Sequence, residues 1–368
     1  MPHHDRGGGR GGGRDVEMSR RKAEHLEICL DEELYRVESG DSRLAEAHLV
    51  HHSLPEVDSD RVDTSTVFLG RKIAMPLFIS SMTGGSDGAY QVNKDLAAAA
   101  EELGIPVGMG SIRILLRKPE VTDHFRLKRY APSVPVFANI GGVQLPVEDH
   151  DRLFRLLEEL EVDGVAVHLN PGQELVQPEG DRDFSGVAQG IRRFVAASPV
   201  PVIVKETGFG IHPVEVRQFL DMGVHYVDVA GAGGTNWNRV EGYRNDDAIT
   251  ASAAMEFDRW GMPTGLILAG LGRDCRGVLA SGGIRTGMEV LTALALGAEG
   301  VGMALPFVRA VVKNGVAEAV AFGQRLQYVI RTGMALCGCT TVEQLRTAPL
   351  WMDHRLRADA KSLNEAWS

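Results

Sequence analysis

The sequence predicts an α/β fold, a closed (β/α)8 TIM barrel, and three observations carry that reading. Eight short apolar or β-branched runs alternate with stretches of helical period, the pattern of repeated strand-helix units around a parallel sheet. The C-terminal ends of those runs are rich in hydrogen-bonding and charged residues, as the shared mouth of a barrel would be. The first run passes into Ser80-Ser-Met-Thr-Gly-Gly85 without a Gly-x-Gly-x-x-Gly pattern, which argues against an open doubly wound sheet.

Residues 1–18 read as a flexible Gly/Arg-rich tail, since Gly7 to Arg14 has no apolar surface to bury. Residues 19–368 read as a single barrel domain with an N-terminal segment and C-terminal helices. Ser19 can cap a helix-like stretch through Arg21, Lys22 and His25, and Glu32 to Val67 is a polar, irregular entrance segment. The strands follow at Met75–Ser80, Pro106–Gly110, Val134–Asn139, Gly164–Leu169, Val200–Lys205, Tyr226–Ala230, Gly277–Ser281 and Gly300–Ala304. Between them, Leu153, Leu156, Leu157 and Leu160 share one helical face, as do Val216, Phe219 and Leu220, and helical pattern marks Asp95–Leu103, Met288–Leu296 and Val308 onward. The long stretch between the sixth and seventh strands predicts one inserted helix, Ala248–Trp260, and a loop.

A chain of 368 residues, 44% hydrophobic and 24% charged, has ample material for one large core. The net charge of −10 argues against non-specific nucleic-acid binding while leaving room for a local anion site. Cys29, Cys275, Cys337 and Cys339 lack the spacing of a zinc site or disulfide framework and read as reduced thiols. With no bilayer-length apolar stretch and no signal-peptide segment, the expected location is cytoplasmic, with no membrane partner.

The strand ends carry the chemistry. His168-Leu-Asn-Pro-Gly-Gln-Glu174 crowds an imidazole, carboxamides and a carboxylate where a buried strand breaks, a mixture that a core does not need. Ser281-Gly-Gly-Ile-Arg-Thr-Gly287 opens a helix, so its backbone N–H groups and the helix N-terminus predict a phosphate site, completed by Gly302 to Pro306. Lys205, at the end of Pro-Val-Ile-Val, could be a Schiff-base lysine, an ion-pair partner or a cation beside a flavin ring.

Arg21-Lys-Ala-Glu-His25, Met82-Thr-Gly-Gly85, Gly110-Ser-Ile-Arg113, Ala138-Asn-Ile-Gly141, the His168 to Glu174 run, Val204-Lys-Glu206, Gly231-Ala-Gly-Gly-Thr-Asn-Trp237 and Ser281-Gly-Gly-Ile-Arg285 together resemble type 2 isopentenyl diphosphate isomerase, from Arg21 to the C-terminal helices. The resemblance implies an FMN-binding barrel that interconverts isopentenyl and dimethylallyl diphosphate in isoprenoid biosynthesis. It also implies Mg²⁺, NADPH as reductant of the flavin, and a homotetramer or homo-octamer. By position it assigns Ser80, Ser81, Met82, Thr83, Ser111, Asn139, Lys205, Thr235, Gly283, Ile284, Arg285, Ala304 and Leu305 to FMN. Arg21, Lys22, His25, Ser111, Arg113 and Gln173 would face the substrate, Gln173, His168 and Asn170 would serve catalysis, and Glu174 would bind Mg²⁺.

The implied roles are chemically sound. Arg21, Lys22 and Arg113 offer forked and point-charge donors to a diphosphate, and one Glu suffices for Mg²⁺ that takes phosphate oxygens and water as its other ligands. The double bond moves by addition of one proton and loss of another, with reduced FMN as the implied acid or base, and Gln173, no base at neutral pH, would relay or orient the proton. Many members of the family have Gln where this chain has Ile112, so a contact through that side chain is absent. His51 and His52 have no derivable role. A 2-hydroxy acid oxidase would need His and Arg after the sixth strand, and a purine-nucleotide dehydrogenase a Cys there; Gly231-Ala-Gly-Gly-Thr-Asn236 has none of these. An inactive flavin-binding relative would lack relay or metal residues, yet Gln173, Glu174 and Lys205 are present.

Overall fold

The computed structural model describes residues 24–82 and 87–366, so the Gly/Arg tail, the Ser19 cap, Arg21, Lys22 and Thr83 lie outside the described residues. Eight parallel strands close into a barrel in chain order: β1 (Leu77–Ile79), β2 (Val107–Ser111), β3 (Val136–Gly141), β4 (Gly164–His168), β5 (Val202–Lys205), β6 (Tyr226–Asp228), β7 (Val278–Ala280) and β8 (Gly300–Met303). Each lies where the β-branched runs predict it, because strands buried on both faces have few polar residues to obscure the pattern.

Packing follows from the helices' apolar faces. Leu153 and Leu157 of helix His150–Glu159 are buried, as are Val216 and Phe219 of Pro213–Asp221. The last large helix, Leu305–Leu336, is broken at Asn314 and Gly315, where Gly315 takes φ 75°. No helix among the described residues is long and apolar enough to cross a membrane.

Two local expectations need correction. The insertion between β6 and β7 holds two extra helices, Trp237–Arg244 and Ala248–Glu256, ahead of Thr264–Leu271. The first escapes notice because its polar sequence has no amphipathic stripe; Asn236 defines its start by accepting a hydrogen bond from the Arg239 N–H at 3.2 Å. The entrance segment is also more ordered than its polarity suggests. It contains a short helix, Glu32–Tyr35, and a strand, Ala47–Leu49, paired antiparallel with Leu350–Met352 near the C-terminus. A partner so distant in sequence leaves no local signature.

Inside the barrel, Phe78, Phe137, Ala166, Ile203, Tyr226 and Leu279 form one apolar layer. Phe68, Leu69 and Ile73, from an antiparallel hairpin (Thr66–Phe68 with Arg71–Ile73), pack against it from the N-terminal end. The bottom is therefore plugged by hydrocarbon, and the polar groups are left to the opposite end.

Candidate active site

Two residues beyond each member of the apolar layer, the pleat returns a side chain to the interior at the C-terminal mouth. Those positions are Ser80, Asn139, His168, Lys205, Asp228 and Ser281, all on or just beyond β1 and β3 to β7. Register aligns Gly141, His168, Lys205 and Asp228 across β3 to β6. His168 Nδ1 donates to Asn139 Oδ1 at 2.8 Å. Lys205 is buried and donates to the Glu206 carbonyl. Burial drives its pKa down, opposed by the charges of Asp228 and Glu206.

Above this ring opens a cavity of about 1500 Å³ including its mouth. Nearly every residue expected at the site lines it: His25, Ser80, Ser81, Met82, Ser111, Arg113, Asn139, His168, Asn170, Gln173, Glu174, Lys205, Thr235, Gly283, Arg285, Ala304 and Leu305. Ile284 does not; its side chain is wholly buried in the main core, which leaves only its backbone for a ligand. Ile112 points into the same core, so no side chain reaches the substrate region from there. His52 packs near Gly338, outside the cavity. Gln144, Gln177, Thr207 and Trp237 also line the cavity and were not foreseen.

One wall is built on two short helices. Pro171–Val176 starts directly after β4, with Pro171 in its first turn, and carries Gln173 and Glu174 into the mouth. Asn170 Nδ2 donates to Gln173 Oε1 at 3.0 Å and to Glu174 Oε1 at 3.1 Å, which fixes both side chains. Gln173 Nε2 in turn donates to Glu241 Oε1 at 2.8 Å, and His25 Nε2 donates to the same oxygen at 2.8 Å. Glu241, on Trp237–Arg244, has no exposed side-chain surface and is also paired with Arg244. Burial alone would raise its pKa, but His25, Arg244 and Gln173 outweigh that and hold it below the ordinary carboxylate range. Glu241 is the principal site residue that the sequence reading missed. Beyond it, the Asp181 N–H donates to Glu174 Oε2 at 2.8 Å, and the Asp181 carboxylate pairs with Arg113 at 3.2 Å.

A second stretch of wall is glycine-built. A Cβ on Gly282 would lie 2.0 Å from the Gly231 carbonyl oxygen, and one on Gly234 would lie 2.7 Å from the Gly283 nitrogen. The loops after β6 and β7 therefore touch backbone to backbone. The N-terminus of helix Gly287–Ala295 is closed by its own side chains, Thr286 as N-cap and Glu289 accepting from the Arg285 and Thr286 N–H groups at 2.9 Å. Helix Leu305–Leu336, whose first turn faces the cavity, has no side-chain cap at Ala304. Of the two helix starts, the one after β8 is the one without a side-chain cap. Arg285 lines the same corner and is paired with Glu38.

Fold and site together define a (β/α)8 barrel of the FMN-dependent type. A family model described as FMN-dependent dehydrogenase matches residues 181–352. A flavocytochrome b2 mutant with benzoylformate shares the fold at TM-score 0.64 and 20% identity, covering 89% of this chain and 81% of that one. A mandelate oxidase variant with 2-hydroxy-phenylacetamide does so at TM-score 0.60 and 18% identity, covering 92% and 98%. Whole-chain relatives are more specific. Isopentenyl-diphosphate delta-isomerase of Methanothrix thermoacetophila is 41% identical, covering 93% of this chain and 95% of its own length. That of Archaeoglobus fulgidus is 39% identical over 93% and 98%, and that of Borrelia garinii subsp. bavariensis 39% over 92% and 94%. The chain belongs to the isopentenyl-diphosphate delta-isomerase family.

Proposed function

We propose that this protein interconverts isopentenyl and dimethylallyl diphosphate at the mouth of the barrel, with FMN as resident cofactor and Mg²⁺ as partner of the diphosphate. The observation that carries the reading is the hydrogen-bonded chain Glu241, Gln173, Asn170 and Glu174, which joins a buried carboxylate to a metal-type carboxylate through two amides. Such a chain serves a reaction that moves protons beside a phosphorylated substrate.

The residues fit both groups. For FMN, Ser81 Oγ is buried in the cavity wall with no hydrogen-bond partner among the described residues, Lys205 is a buried amine at its floor, and the glycine loops with the uncapped Ala304 helix end suit a phosphate. Reduced FMN, when bound, supplies an electron-rich ring that can hold or release a proton beside apolar carbons. For Mg²⁺, no group of three or more His, Cys, Asp or Glu side chains is placed to hold a metal among the described residues. Glu174, which lines the cavity, suits an ion that takes most of its shell from diphosphate oxygens and water.

The chain's own residues then divide the work. Arg113 exchanges Asp181 for the diphosphate, joined by Arg21 and Lys22. Gln173, neutral at any working pH, holds the reacting carbons in register and passes hydrogen-bond polarity between them and Glu241 Oε1. Trp237, edge-on to His25 at 5.2 Å between ring centroids, offers an aromatic face where positive charge develops on carbon. Proton gain at one carbon and loss at another leaves no net redox change, so NADPH serves only to set the flavin's reduced state. The working protein is a cytoplasmic homotetramer or homo-octamer in this reading.

The test is anaerobic incubation with FMN, Mg²⁺ and isopentenyl diphosphate, with and without NADPH. Dimethylallyl diphosphate formed only with reduced flavin, without stoichiometric NADPH loss, is the expected result. Bound flavin with no product overturns the reading.

A further inference from the structure

Arg244 ends the Trp237–Arg244 helix just behind the wall of the mouth; its side chain is 5% exposed and does not line the cavity. Each of its three nitrogens serves a different carboxylate. Nε donates to Glu24 Oε2 at 3.0 Å, Nη1 to Glu241 Oε2, and Nη2 to Glu179 Oε1 at 3.5 Å. The three acids belong to three segments: the helical residues 24–30, the loop that follows Pro171–Val176, and Arg244's own helix.

We propose that Arg244 is a positioning residue for the substrate: one guanidinium ties the N-terminal segment and the 177–182 loop to the Glu241 helix, and so sets the rim that holds the diphosphate. This rests on the reading that the mouth takes isopentenyl diphosphate.

Every arm ends beside a group assigned to the substrate. Glu24 is followed by His25, which lines the cavity, and is preceded in sequence by Arg21 and Lys22. Glu179 stands two residues before Asp181, whose N–H reaches Glu174 and whose carboxylate pairs with Arg113. The third arm takes Glu241 by Oε2, while Oε1 accepts from His25 and Gln173. Asn245, the next residue, donates from Nδ2 to the Val176 carbonyl at 3.0 Å and fastens the end of the Gln173 helix to the same corner.

The residue type matters. A guanidinium presents five N–H groups in a rigid planar fork and can meet three acids at fixed angles, whereas an ammonium is a single point of charge. Burying that cation is costly, and the cost is offset only while its partners stay in place. The three segments are therefore coupled through Arg244. A merely structural ion cluster would change the yield of folded protein and leave the KM of the folded enzyme alone.

The experiment is steady-state kinetics with isopentenyl diphosphate on the FMN-loaded, reduced enzyme and on Glu24→Gln, Glu179→Gln, Arg244→Lys and the double variant Arg244→Lys with Glu24→Gln. Glu24→Gln and Glu179→Gln should each raise KM about fivefold and leave kcat within about twofold. Arg244→Lys, which keeps the charge and loses the fork, should raise KM about tenfold and also lower kcat, because it loosens Glu241 as well. Glu24→Gln should add less than about twofold in the Arg244→Lys background, since the contact it removes is already gone. The two Gln variants, on partly exposed acids, carry the test if Arg244→Lys does not fold. An unchanged KM in either of them, or effects that multiply in the double variant, overturns the inference alone; a wild type that forms no dimethylallyl diphosphate overturns the functional reading and this inference with it.

Discussion

Glu241 is held by groups from three parts of the chain: His25 from the N-terminal segment, Gln173 from the helix after β4, and Arg244 one turn along its own helix. Its depressed pKa has a stability consequence with a definite sign. The contribution is fully present above the unfolded carboxylate value of about 4.3 and is lost as pH falls through the lower folded value. Glu241→Gln should therefore lose less stability than wild type on acidification below about pH 4.5, measured by denaturant unfolding across pH; parallel curves would show that the charge is not what these partners stabilise. The same variant should lower isomerisation about 100-fold with FMN still bound, the usual scale for a proton-handling group. Gln173→Ala should abolish turnover and also retain FMN, since Gln173 is carried by the helix after β4 and not by the glycine loops; loss of flavin would contradict that division. Gln173 and Glu174 were legible because a polar cluster interrupts a buried strand. Glu241 was not, since a charged residue on a polar helix reads as a solvated face until the fold buries it. Asp228 hid in Tyr-Val-Asp, which looks like an ordinary strand end unless its place two residues past Tyr226 is counted against Lys205, two past Ile203.

The glycine-built wall makes a testable distinction between two costs of adding a methyl group. Gly282 has φ 95° and a Cβ there would meet the Gly231 carbonyl, whereas Gly272 has φ 77° and nothing within 4 Å. Alanine at 272 should cost only the backbone strain, about 1–3 kcal/mol. Alanine at 282 should cost about 3 kcal/mol or more, because one loop must move, and should weaken FMN binding, read by flavin titration. Thr286→Ala tests the neighbouring helix end. It should cost about 1 kcal/mol through the lost N-cap and leave FMN affinity unchanged, because the helix start at Ala304 is the one left without a side-chain cap. A large loss of affinity would restore the phosphate to the Thr286 end. The eight strands were legible as apolar runs, and the Gly-Gly turn as a tight turn at the mouth. Which helix end remains open was not, since Thr286 and Glu289 show their capping geometry only once the turn is folded.

Across the whole molecule, chemistry and stability occupy opposite ends of one barrel. The mouth gathers buried charges that are costly to hold, while the other end is closed by the Thr66–Ile73 hairpin, which begins at the edge of the segment read as irregular and to which the sequence reading assigned no element. Phe68 lies within 5.3 Å of Tyr226, 5.5 Å of Phe78 and 6.2 Å of Phe137 between ring centroids, and Leu69 fills the space that a side chain at Gly164 would need. These are the same strands whose next inward residues are Ser80, Asn139, Lys205's neighbour Asp228 and, on β4, His168. The plug therefore holds the strands in register without touching any group of the site. Phe68→Ala should cost about 3–5 kcal/mol by opening a cavity among aromatic rings. Its FMN affinity and kcat at a temperature where it remains folded should stay close to wild type. A fall in kcat matching the loss of stability would mean that the mouth depends on the plug for its geometry, and that the two ends of the barrel do not work independently.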